Sequence, residues 1–279
     1  LISHFRFSAV EKEHMPILKK YAALGRTAWA LTLEYRAQIL IWMMSSFLMV
    51  VMLLVWLSIS RDGTVNGFTS ADFVAYFMIG WVVRNLTAVW SSWELDYAIR
   101  QGTLSPLLLR PIHPIHNEIA ANWVEKSLRV AIVLPIATVV LLLTPGANVV
   151  LTPAALLLFA LAVIGAWLLC FLLDYLVGML AFWTTQTAAF IEMTYAVRLV
   201  LSGVIAPIAM FPPAVQDVLR WLPFPYMLNF PTEILTGRYS TAEQLLFGFT
   251  VQFAWVAVLA LAVTLVWKMA IRSYSAVGA

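Results

Sequence analysis

Six long apolar stretches divide the chain, and most polar residues gather between them. The stretches cover residues 37–59, 71–90, 128–143, 153–183, 187–210 and 245–267. The first and the last hold no charge between their ends. The second holds Arg84 in its interior, the fourth Asp174, and the fifth Glu192 and Arg198. A hydrocarbon core takes about 20 helical residues to cross, and each stretch reaches or nearly reaches that length. Strands of a membrane barrel would alternate over about ten residues. These runs are continuous, so the pattern predicts an all-α integral membrane protein with six transmembrane helices.

Basic residues alternate between the connections. Arg6, Lys12, Lys19, Lys20, Arg26 and Arg36 precede the first run, and Arg100, Arg110 and Lys126 lie between the second and third. Lys268 and Arg272 follow the sixth, whereas residues 144–152 carry no charge. The positive-inside rule then puts both termini in the cytoplasm, and residues 211–244 outside. The expected location is a plasma membrane, in bacteria the inner one.

Composition strengthens the membrane reading. The 279 residues are 62% hydrophobic and 11% charged, against about a quarter charged in soluble domains. The net charge of +3 forms no basic stripe with interleaved aromatics, so nucleic acid is not an expected partner. The single cysteine, Cys170, lies in an apolar run and excludes an intrachain disulfide or a cysteine-based metal site. Residues 1–36 lack the short apolar core of a signal peptide.

Three segments between the runs carry more information. Within residues 10–34, Lys12, Lys19 and Arg26 recur every seven positions on one helical face, opposite Ile17, Tyr21, Leu24, Ala28 and Leu31. That pattern suits a helix lying on the membrane surface, in contact with lipid, or one packed on another subunit. In the second connection, Gly102 should close one helix and Pro106 should open the next turn. Leu104, Leu107, Leu108 and Leu109 there form an apolar knob that calls for a partner or for burial against the bundle. The outer segment 206–237 is rich in proline and apolar residues. Pro213 can start one short helix, and Pro231 a second that ends near Gly237. The pair suits a re-entrant hairpin or a surface lid.

Three blocks span the chain: Gly102-Thr-Leu-Ser-Pro-Leu-Leu-Leu-Arg-Pro-Ile-His-Pro; Phe211-Pro-Pro with Leu222-Pro-Phe-Pro-Tyr, Pro231 and Gly237; and Arg272-Ser-Tyr-Ser-Ala-Val-Gly. In combination they resemble the ABC-2 type permeases, membrane subunits of ATP-driven exporters, in the subgroup whose ATPase is a separate chain. The resemblance implies an interfacial segment over residues 1–36 and a six-helix permease domain over 37–279. It implies a cytoplasmic coupling helix within residues 94–127, where Gly102, Thr103, Leu104, Leu107, Leu108 and Arg110 would dock in a groove of the ATPase. It further implies an extracellular re-entrant hairpin over residues 206–237, with Phe211, Pro212, Pro213, Leu222, Pro223, Phe224 and Pro231. The expected partners are ATP-binding cassette ATPase subunits and a second permease chain, identical or related. No Gly-x-x-x-x-Gly-Lys-[Ser/Thr] loop occurs in this sequence, so ATP and Mg would be bound on the partner and no cofactor by this chain.

Arg84, Asp174, Glu192 and Arg198 are costly in lipid and are expected to pair with one another, to face a cavity, or to snorkel. Substrate contact is the functional alternative. No catalytic or metal site is expected. His4, His14, His113 and His116 all lie outside the spans, and neither His-Glu-x-x-His nor Gly-x-Ser-x-Gly occurs. The rival to an ATP-driven exporter is an ion-driven secondary transporter, a class with midplane ionisable residues, broken helices and inverted repeats. The first and sixth runs lack internal charges, and the sequence shows no repeat. An aromatic and apolar lining would suit an amphipathic or hydrophobic substrate.

Overall fold

The computed structural model describes residues 44–274 together with Trp29. The predicted interfacial helix, with Lys12, Lys19 and Arg26, lies outside the described residues. A 3₁₀ turn, Met44–Phe47, leads into α1, Leu48–Ile59, and α2 follows as Ser70–Thr87. Next come α3, Ser91–Arg100, the short α4, Leu104–Leu108, and α5, Ile115–Leu142. α6, Pro153–Gly178, continues as a 3₁₀ turn to Phe182, and α7 is Thr187–Leu201. Two short helices, α8, Pro213–Leu219, and α9, Asn229–Leu235, precede the long α10, Ala242–Ser273. Among the described residues there is no strand. The segments Ser70–Arg100, Pro153–Phe182 and Ala242–Arg272 are long and apolar enough to cross a membrane.

Local chemistry sets the helix starts. The Thr69 hydroxyl accepts from the Asp72 amide while the Asp72 carboxylate accepts from the Thr69 amide, which satisfies two of the free N–H groups opening α2. Thr241 and Gln244 do the same for α10. Pro153 enters α6 just after the capping Thr152, where a missing N–H costs nothing.

Two helices organise the interior. α2 is buried at almost every position from Phe73 to Val83 and packs against α1 and α5. α6 packs against α10, α3 and α9 through Trp167, Phe171 and Tyr175. The outward positions are apolar as well: Leu54 on α1, Val139 on α5, Leu157 on α6 and Leu261 on α10 are all exposed. An apolar exterior around a packed interior is the inverse of a water-soluble surface and matches a bilayer as solvent.

The structure departs from the sequence pattern at three places. α5 begins at Ile115, well before residue 128, and runs through Pro135 without a break. The segment 94–127 is thus largely helical rather than an open loop. The fifth run stops at Leu201, because Gly203 adopts a φ of +99° that a helix cannot continue through. α2 stops at Thr87, just short of the end of the second run at residue 90, and a helix resumes at Ser91 as α3.

Candidate functional site

The four charges expected within the spans line one cavity of ≈ 250 Å³. Arg84 comes from α2, Asp174 from α6, and Glu192 and Arg198 from α7. Arg198 donates to Asp174 Oδ1, and the second carboxylate oxygen accepts from the Ser92 hydroxyl at 3.4 Å. Arg84 takes another partner: its Nη2 donates to the Tyr195 hydroxyl at 2.9 Å, with the guanidinium 5.9 Å from that ring's centre. Glu192 is exposed. Of the expected pairings, one is formed.

The break at residues 88–90 forms part of the same wall. Ala88 has an extended ψ of 134°, so its carbonyl leaves the helical ladder. Lys126 Nζ donates to that carbonyl at 2.8 Å, and Asn122 Nδ2 at 3.1 Å. Asn122 Oδ1 in turn accepts from Trp167 Nε1 at 2.8 Å. Non-helical backbone at membrane depth is tolerated only where protein or water covers it, and α5 supplies the cover here. Arg129, one turn further along α5, receives its counter-charge from Glu125 at 3.0 Å and lies 5.7 Å from the Trp90 ring centre.

Sequence reasoning missed this arrangement. No glycine or proline marks the break, and by sequence Lys126 counts as a charge of a cytoplasmic connection. With 3% and 2% exposure, Lys126 and Arg129 are held inside the protein. The available signal was their spacing, since Asn122, Lys126 and Arg129 recur at helical intervals facing the same way.

The predicted coupling segment connects directly to this wall. α3 ends at Arg100, and Gly102, with a φ of +71°, turns the chain into α4. Leu104 is fully buried and acts as an anchor; Leu107 and Leu108 are half-buried. Thr103 and Arg110 are exposed, and Leu109 protrudes with 88% of its surface free. The end of α10 packs over the back of this segment. The Ser105 and Tyr274 hydroxyls are 2.8 Å apart, and the His113 and Trp267 rings are centred 4.6 Å apart. Burial, with His116 nearby, holds the His113 imidazole below its usual pKa. Arg100, at the end of α3, pairs with Asp96 at 2.8 Å and donates to the Thr185 carbonyl at 2.8 Å and the Thr187 hydroxyl at 3.1 Å. It thereby fastens α3 to the turn that opens α7.

The segment 206–237 folds as two short helices whose irregular backbone is satisfied by side chains of the longer helices. Trp56 Nε1 donates to the Ile205 carbonyl at 2.9 Å, and Tyr76 OH to the Gly203 carbonyl at 3.0 Å. Gln252, fully buried on α10, donates to the Ala162 and Tyr226 carbonyls at 2.9 and 3.0 Å. Trp255 Nε1 donates to the Trp221 carbonyl at 2.8 Å. Pro212 and Pro213 are exposed, Phe211, Leu222 and Phe224 half-buried, and Pro223 and Pro231 buried. Pro231 lies in the first turn of α9, not at its start, and Gly237 ends that helix region at a φ of +74°.

Among the described residues no group of three or more His, Cys, Asp or Glu side chains could hold a metal ion. A family model described as ABC-2 family transporter protein matches residues 40–278. None of the curated proteins matches the chain.

Proposed function

The chain belongs to the ABC-2 family of transporter proteins, a multi-pass membrane permease that is not itself catalytic, and from that premise we propose that it is the membrane half of an ATP-driven exporter whose ATPase is a separate polypeptide. Two ATPase subunits would bind ATP and Mg, and a second permease chain, identical or related, would complete the pathway. The six-span topology with both termini in the cytoplasm, an amphipathic or hydrophobic substrate and outward transport belong to this proposal. So does a role for the segment 206–237 as a re-entrant gate.

The observation that carries the reading is the continuous mechanical run from α4 to the cavity. α4 is joined to α3 by three residues, and α3 reaches the break at residues 88–90 that walls the cavity. ATP-driven closure of the partner subunits pushes on α4. Anchored by Leu104, α3 moves with α4 as one lever, and the break gives it a pivot. Through Arg100 the same push reaches the start of α7, which carries Glu192 and Arg198 on the opposite wall. Nucleotide thus favours one of two packings of the cavity walls.

One observation favours the ion-driven alternative. A span broken beside buried charges is a feature of secondary transporters. Transport that survives ATP depletion but is abolished by an uncoupler would select that alternative.

The deciding experiment is mild extraction of the tagged chain from its native membrane, identification of bound proteins by mass spectrometry, and assay of the complex for ATP hydrolysis. The expected result is a phosphate-loop ATPase that co-purifies with the wild type and is lost from Leu107→Asp/Leu108→Asp and from Leu109→Asp. A stable chain with no such partner overturns the proposal.

A further inference from the structure

The charges around the cavity are not all paired. Three guanidinium groups, Arg84, Arg129 and Arg198, line it against two carboxylates, Asp174 and Glu192. Arg198 is neutralised by Asp174, and Arg129 by Glu125. Arg84 meets only a neutral phenol, Tyr195, at 2.9 Å, and makes no ion pair among the described residues. A guanidinium offers five N–H donors. Holding a half-buried one within a span without a counter-charge is costly, and such groups mark ligand pathways. The remaining wall is mixed: polar side chains such as Asn85, Thr87 and Thr194 lie beside an apolar stretch that includes Val177, Leu199 and Leu228. A space of ≈ 250 Å³ takes a headgroup rather than a whole long-chain molecule.

Building on the permease reading, we infer that this cavity binds the anionic headgroup, a carboxylate or phosphate, of an amphiphile whose tail follows the apolar stretch, with Arg84 as the recognising cation. A cationic headgroup finds no enclosed partner: Asp174 is held by Arg198, and Glu192, which lines the same cavity, is solvent-exposed. Glu192 instead opposes an anion, so its charge sets how tightly the headgroup is held.

The test is equilibrium binding of radiolabelled dodecyl phosphate to the full chain in phosphatidylcholine nanodiscs, with empty discs subtracted. The competitors are unlabelled dodecyl phosphate, dodecyltrimethylammonium and inorganic phosphate. Saturable binding displaced by dodecyl phosphate and spared by the ammonium analogue is expected. Arg84→Gln should weaken it by about tenfold or more, the usual range for a lost hydrogen bond to a charged group, and Arg84→Lys by less. Glu192→Gln should tighten it, a gain that misfolding cannot produce. Equal displacement by the ammonium analogue, or an Arg84→Gln chain that binds as the wild type does, overturns the inference. Inorganic phosphate competing as well as dodecyl phosphate overturns the amphiphile assignment. Because this readout needs neither ATP nor an ATPase, its failure leaves the co-purification result standing, and the reverse also holds.

Discussion

Lys126 shows how a single residue can decide whether a broken helix is affordable. Its ammonium caps the Ala88 carbonyl, and Asn122 makes the second bond to the same oxygen. Lys126→Met removes one donor and keeps the bulk. The expected loss is about 1–3 kcal/mol, the cost of an under-satisfied buried polar group, read as a lower thermal midpoint in detergent. Lys126→Arg should recover part of it. The pair Asp174–Arg198 makes a sharper case. Asp174→Asn leaves a partly buried guanidinium without its counter-charge, which costs up to about 3 kcal/mol, the low end of the range for a buried pair. Adding Arg198→Gln should then restore stability rather than lower it further. A double-mutant cycle on thermal unfolding checks this, and additive losses would show the pair to be unimportant.

His113 links a titration to a contact. Its folded pKa lies below the ordinary 6.5 because burial disfavours the charged ring. A cationic group with a depressed folded pKa binds protons more readily when released, so the contact is favoured at higher pH. As pH falls below about 6.5 the released ring takes up its proton first, so the neutral ring packed on Trp267 is progressively disfavoured. Faster proteolysis near residue 274 at pH 5.5 than at pH 7.5 is expected, and His113→Phe should remove the difference.

The elements differ in how much of their geometry their own residues decide. α2, α6 and α10 carry their caps and their apolar content in sequence, and the structure forms them where the pattern places them. The turn after α7 depends on one glycine. An alanine at position 203 would have to hold a φ of +99° and would press its methyl on the Tyr76 hydroxyl and Asn229. Gly203→Ala should therefore destabilise by about 1–3 kcal/mol. Removing the clash with Tyr76→Phe should relieve only part of that, since the backbone strain remains. The broken segment α2–α3 carries no such local marker. Its break is covered from α5, far away in sequence, so the bonds that satisfy the Ala88 carbonyl are not legible from residues 70–100 alone.

On the scale of the whole molecule, the two ends of the predicted coupling segment behave differently. Leu104 is core and holds α4 in place, while Leu109 faces outwards. Leu104→Asp should thus reduce the amount of folded chain, whereas Leu109→Asp should leave folding intact and abolish ATPase capture. Size-exclusion profiles beside the co-purification result separate the two. Topology is open to the same kind of check. With the buried Cys170 replaced by alanine, a cysteine at Ser240 should react with an impermeant maleimide added outside, and one at Leu109 only after the membrane is opened.

Composition, six apolar runs and the spacing of glycine and proline were enough to establish a helical membrane protein, the turn at Gly102, the short helix at Pro213 and the family resemblance. These follow from chain chemistry that acts within a few residues, or from total apolar content, and neither depends on which helices become neighbours. The sequence also identified Arg84, Asp174, Glu192 and Arg198 as costly in lipid. It left open which of them pair, because pairing needs the relative rotation of α2, α6 and α7. Tertiary structure alone decided that Asp174 takes Arg198, that Arg84 is left facing a cavity, and that Lys126 turns inward to cover a break in another helix. Each is a contact between residues distant in the chain, set by how apolar faces pack, and no local propensity encodes it.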